Sequence, residues 1–194
     1  MNTGVLVRVF ICGSLLGGAH LAALDQQGAP TVGFEFGVGY NMPFDDRFEG
    51  ASTSFALVFP IGDVIAASIY HENIRLRGDE DGATEDVDGM VNQVRISARI
   101  LNLGSQDVRI FLGLGLSEFD YASAGEEETG IVGDVGASLG LIRSQSGPVI
   151  GAASLEVLAR FAPHDDVVVP GFDADEPVES QNALRIGLTA GVYF

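Results

Sequence analysis

Eight charged residues stand at intervals among small and apolar neighbours: Glu35, Arg95, Arg99, Arg109, Asp134, Glu156, Arg160 and Arg185. Five arginines and three acids can form a network in which a planar guanidinium bridges two carboxylates, or they can line a narrow polar passage. Catalysis has fewer candidates. It needs a nucleophile or base in a supported geometry, and beyond the leader described below only His71 and His164 offer an imidazole. His164-Asp165-Asp166 sets a base beside carboxylates, but a lone histidine in an acidic stretch reads as a solvated loop residue. No catalytic residue and no cofactor site are therefore assigned. The run from Gly78 to Gly89 superficially resembles a calcium loop, yet Ala83 stands where a third ligand should be and such a loop needs flanking helices. It reads as a solvated acidic surface, with loose divalent binding as the alternative, and no metal site is assigned.

The bulk charge narrows the partners. The chain of 194 residues carries 27 acids against 10 basic residues, all of them arginine. Nucleic acid is excluded as a partner by that balance. Residues 1–23 stand apart: Arg8 is their only charge, Val9 to Leu16 is apolar, and the stretch closes on Leu21-Ala22-Ala23. This is the pattern of a secretory signal peptide cut after Ala23. A spanning helix would need about 20 apolar residues, and Gly13, Ser14, Gly17, Gly18 and His20 interrupt this run. The only cysteine, Cys12, lies inside the leader, so the mature chain 24–194 has no thiol chemistry, and nine arginines against 27 acids leave it at −18.

The charged residues must be positioned by strands, because period-two alternation runs through the mature chain. Val32, Phe34, Phe36, Val38 and Tyr40 alternate with Thr31, Gly33, Glu35, Gly37 and Gly39. Seven further segments follow the same rule near 54–59, 65–70, 93–100, 108–117, 134–141, 153–161 and 184–194. The third is the least regular, since Val64 and Tyr70 would also suit the opposite face. No position on the apolar faces is charged. The links at 60–63, 101–107 and 143–148 are short, whereas those near 41–53, 71–91, 118–131 and 162–181 are long. The expectation is an all-β, eight-stranded antiparallel transmembrane β-barrel with short periplasmic turns and four long extracellular loops. A soluble barrel of the lipocalin type would need dense mixed charge on its outer face. Here the second face is largely Gly, Ala, Ser and Thr with isolated charges. A closed barrel is also the β solution that satisfies its backbone in lipid. Its interior is about wide enough for its own side chains, so the eight charged residues are expected to pair there as a plug, with a narrow pore as the alternative.

These eight segments, the Phe59-Pro60-Ile61-Gly62-Asp63 turn and the terminal Phe194 resemble the small outer-membrane barrels of the OmpA, OmpX and OmpW type over residues 24–194. The resemblance implies an outer-membrane location in a diderm bacterium, contact with outer-membrane lipid, and a C-terminal signal for the barrel-assembly machinery carried by Leu188, Ala190, Val192 and Phe194. With no domain after Phe194, an anchoring role like that of full-length OmpA is not expected. Between the strands on the long-loop side lie 21 of the 27 acids, a rim that should attract divalent cations and basic partners. The expected function is a non-enzymatic surface barrel acting through these loops in adhesion, environmental interaction or envelope integrity. The alternative is an OmpW-like conduit for small hydrophobic molecules, with Val58, Phe111 and Leu158 as its inward apolar candidates outside the third segment.

Overall fold

The computed structural model describes residues 31–80, 82–103, 106–146, 148–173 and 177–194; the expected signal peptide lies outside them. Ten strands follow in chain order: β1 (Gly33–Pro43), β2 (Phe48–Ile61), β3 (Ile65–Glu80), β4 (Ala83–Leu103), β5 (Gln106–Tyr121), β6 (Glu126–Ser146), β7 (Val149–Phe161), β8 (Pro163–Val167), β9 (Val178–Ser180) and β10 (Ala183–Tyr193). Eight close into an antiparallel barrel in the order β1-β10-β7-β6-β5-β4-β3-β2, while β8 and β9 form a separate ribbon. Closure is made where β1 pairs with β10, from Gly33 opposite Tyr193 to Pro43 opposite Ala183. An even number of alternating strands lets this last pair be antiparallel too, so no edge remains open.

The two faces are unlike, and the direction of the difference decides the class. In a lipocalin-type barrel the apolar face points inward. Here Leu112 and Leu114 are 65% and 66% exposed, whereas Arg160 and Arg185 are 1% and 0% exposed. The apolar rows form an outward belt far larger than a monomer surrounded by water would present. The third segment joins the same scheme, with Tyr70 buried inward and Val64 exposed in the turn. No helix among the described residues is long and apolar enough to cross a membrane.

The wall is uneven. β1 and β10 have 11 residues each, but β4 and β6 have 21. The stretches 71–91 and 118–131, expected between strands, are mostly strand: β3 and β4 run on to a turn that includes Gly82, and β5 and β6 to the turn at 122–125. Gly82 and Gly125 take φ of 85° and 69°, left-handed values that only glycine adopts without strain. The alternation in these extensions keeps its period but inverts its chemistry. Below, apolar residues face out; above, Ile74, Leu76, Val87, Val91, Phe119 and Val132 are buried inward, and Asn73, Arg75, Asp86, Asp88 and Asp120 face out exposed. That inversion is expected where the wall leaves lipid and enters water, since its outside must then be polar.

Candidate functional site

The lumen divides into three tiers. The middle tier lies within the belt and joins Glu72, Asp134 and Glu156 to Arg95, Arg160 and Arg185. Asp134 and Arg160 are register partners on β6 and β7, and Arg160 Nε donates to Asp134 Oδ1 at 3.0 Å. Arg95 reaches from β4 to donate to Asp134 Oδ2 at 2.7 Å and comes within 3.5 Å of Glu156. Arg185 Nη1 donates to Glu156 Oε1 at 2.7 Å. Glu72 ties the tier together, taking Arg160 Nη2 at 2.6 Å on one oxygen and lying 2.7 Å from Arg185 Nε on the other. The hydrogen on Arg185 Nε points to Ser52 Oγ instead, so this last contact is a charge pair without a hydrogen bond to that oxygen. Tyr70 donates to Glu72 at 2.9 Å, and the Arg95 guanidinium lies over the Tyr70 ring at 3.2 Å. Three cations thus meet three anions, as burial of charge demands.

Glycines make room for the guanidinium groups. A Cβ on Gly39 would sit 2.5 Å from Arg185 Nε, and one on Gly187, its register partner across β1 and β10, 2.8 Å from Arg185 Nη1. The run of small residues on the inward face is therefore the space that the arginines occupy.

Above this tier an apolar cap closes the hairpin end. Phe48, Ile74, Leu76, Val87, Val91, Phe119, Tyr121 and Val132 of the wall pack with Ala162, Val167, Val169, Phe172 and Val178 of the segment 162–181. That segment, expected as a long extracellular loop, carries the β8–β9 ribbon, and these five residues cover the mouth. The Phe48 and Phe172 rings lie 5.8 Å apart. Polar ties hold it down: Gln181 Nε2 donates to the Tyr121 hydroxyl at 2.8 Å, and the Asn182 side chain accepts from the Ala162 amide at 2.7 Å. Burial pushes the Tyr121 phenol above its ordinary pKa. On the β1–β2 connection, Arg47 binds Asp45 at 2.7 Å and Glu80 at 3.2 Å, and those hydrogen bonds, Asp45 first, raise its pKa.

The two histidines among the described residues both have polar partners. His164 Nε2 lies 2.8 Å from the Tyr121 hydroxyl and its Nδ1 2.6 Å from the Asp165 carbonyl, so its ring nitrogens meet a phenol and a backbone oxygen. His71 meets Asn92 at 2.9 Å on the outer wall. Across the run that resembles a calcium loop, β3 up to Glu80 pairs with β4 from Ala83, and no group of metal-ligating side chains occurs among the described residues.

At the turn end the lumen widens into a cavity of about 420 Å³. Here Arg99 and Arg109 share Asp107, at 3.5 and 3.0 Å. Glu35 faces the same space and accepts a hydrogen bond from the Tyr193 hydroxyl. The eight residues picked out by alternation all face inward, but they divide. Five join the central tier, whereas Arg99, Arg109 and Glu35 stand apart at the turn end. Glu72 and Asp107 completed the two groups and were missed, both lying beyond the segments read as strand.

Such a lumen, sealed by ion pairs inside an outward apolar belt, can be set against known proteins. No family model matches the sequence, and neither does any curated protein. Among solved structures the chain is similar to Neisserial surface protein A, with TM-score 0.51 and 12% identity over 84% of this chain and 94% of that one. The fold is that of a small eight-stranded outer-membrane barrel. Two further outer-membrane proteins lie at lower similarity. AlkL gives TM-score 0.47 at 10% identity over 88% of this chain and 93% of that one, and OprG from Pseudomonas aeruginosa 0.44 at 12% over 87% and 98%. At such identities the likeness concerns architecture alone. In this barrel Leu188, Ala190, Val192 and Phe194 form one outward row, and Phe194 meets Phe34 edge to face at 6.5 Å between centroids.

Proposed function

We propose that the mature chain is a closed, non-enzymatic surface barrel of the outer membrane, which acts through its projecting acidic hairpins on basic partners or divalent cations. The observation that carries this reading is the double closure of the lumen: the ion-pair tier whose members Glu72, Arg160 and Arg185 are 0%, 1% and 0% exposed, and the apolar cap above it. A path for a hydrophobic solute finds no continuous apolar route, since Val58, Phe111 and Leu158 are separated from the cap by charged side chains. What remains available is the outside of the hairpin end, where Asp79, Asp86, Asp88, Glu126 and Glu127 are exposed. Short turns and both described termini share the other end, which supports placing that end in the periplasm. The outward row ending in Phe194 supports recognition by the barrel-assembly machinery, and deleting Phe194 is expected to reduce insertion.

The test is adhesion of cells displaying the barrel to a surface coated with a cationic protein, compared with cells displaying a variant in which those five acids become amides. The reading requires attachment to fall toward that of cells lacking the barrel, with surface level unchanged. Equal attachment by both would remove the hairpins as the acting surface.

A further inference from the structure

We propose that the cavity at the turn end is a binding site for a small solute carrying a phosphate or carboxylate group, held between Arg99 and Arg109. The two arginines are direct register partners on β4 and β5, and like charges placed opposite one another in an antiparallel pair repel. A single carboxylate, Asp107, stands between them. Among the described residues neither guanidinium has a second carboxylate partner, and Arg99 Nε is buried with no hydrogen bond. The middle tier is balanced at three against three. At the turn end the two guanidiniums share one carboxylate in direct contact, while Glu35 hydrogen-bonds Tyr193 and acts on Arg109 from across the cavity. The turn residue Asp63 and the exposed Arg143 also line the cavity, adding one charge of each sign.

An oxyanion supplies what the pair lacks, since a guanidinium offers a planar fork of donors that matches phosphate and carboxylate. The volume of about 420 Å³ falls within the roughly 300–1,000 Å³ of small-molecule sites. The tier of ion pairs closes the inner end, so a ligand enters and leaves by the turn end alone. Ser138 on the same wall adds a hydroxyl for the rest of the solute, while the Ser154 hydroxyl is paired with Thr189. Which compartment supplies the ligand follows from the orientation proposed above; binding itself does not depend on it.

The test uses the mature chain folded in detergent micelles, where both ends are accessible. Inorganic phosphate and succinate are titrated separately by calorimetry at low ionic strength, with folding of each variant checked by its gel-mobility shift on heating. At least one anion is expected to bind at a single site, with affinity reduced tenfold or more in Arg99→Gln and in Arg109→Gln. Asp107→Asn, which removes the competing carboxylate, is expected to bind more tightly than the unmutated protein, a gain that a merely structural role for the arginines would not give. Arg75→Gln, on the outer wall, is expected to leave affinity unchanged. Failure of both anions to bind, undiminished binding in the two glutamine variants, or weaker binding in folded Asp107→Asn would each overturn the proposal.

Discussion

Arg160 on β7 and Glu72 on β3 stand on opposite walls of the barrel, four places apart in a ring of eight strands, and their side chains meet at 2.6 Å. One ion pair therefore spans the full lumen. Removing either partner leaves a buried charge uncompensated, which typically costs about 3–5 kcal/mol. Glu72→Gln and Arg160→Met are each expected to lower the unfolding temperature markedly, and the double variant to recover part of the loss. Heat-dependent gel mobility and calorimetry read both effects.

Gly39 sets how closely β1 approaches the same network. A methyl group there would displace Arg185 from Glu156 and Glu72, because its carbon would lie 2.5 Å from Nε. Gly39→Ala is expected to destabilise the barrel by about 1–3 kcal/mol, the range for overpacking. Gly151→Ala is expected to be near neutral, since its added carbon meets nothing nearer than Ser144 Oγ at 3.3 Å. Paired denaturant titrations of the two variants measure the difference.

The cap should open without unfolding the barrel. Phe172 is 8% exposed and packs on Phe48, so Phe172→Ala is expected to cost the cap about 3 kcal/mol. Limited proteolysis is the readout: cleavage within 162–181 rises in the variant while the heat-modifiable barrel band persists.

Alkaline pH should act on the cap as well. The folded pKa of Tyr121 lies above its unfolded value of about 10. Its contribution is therefore complete below about pH 10 and lost as pH rises from there through the folded value, because the unfolded chain gives up the proton first. Protease sensitivity of 162–181 is expected to climb above pH 10, and Tyr121→Phe to flatten that climb.

The belt was legible because lipid imposes one rule on every strand: the outward residues from Phe34 to Phe194 are apolar, and their alternates are small or charged. The same rule concealed the rest. Past Ile69 the outward positions of β3 are His71, Asn73, Arg75 and Arg77, so the apolar row ends and the stretch reads as loop. Glu72 then passes for one more acid of the rim, although it is the residue that joins two arginines across the lumen. Ile74, Leu76, Val87 and Val91 are missed for the same reason, being apolar on the face where polar residues had been the pattern. Asp107 fell in a turn by its neighbours Gly104 and Ser105. The period runs on through these extensions, and only the inversion of its phase marks them. The folding of 162–181 over the mouth has no periodic signal, because its cap residues come from two short strands and the connection between them.

Conductance decides whether the lumen is shut. The unmutated barrel, folded and inserted into a planar bilayer, is expected to give no steady current step, while Glu72→Ala gives a leak or a lower unfolding temperature. A large, steady ohmic conductance in the unmutated protein would contradict the account, since the arginines would then line a channel.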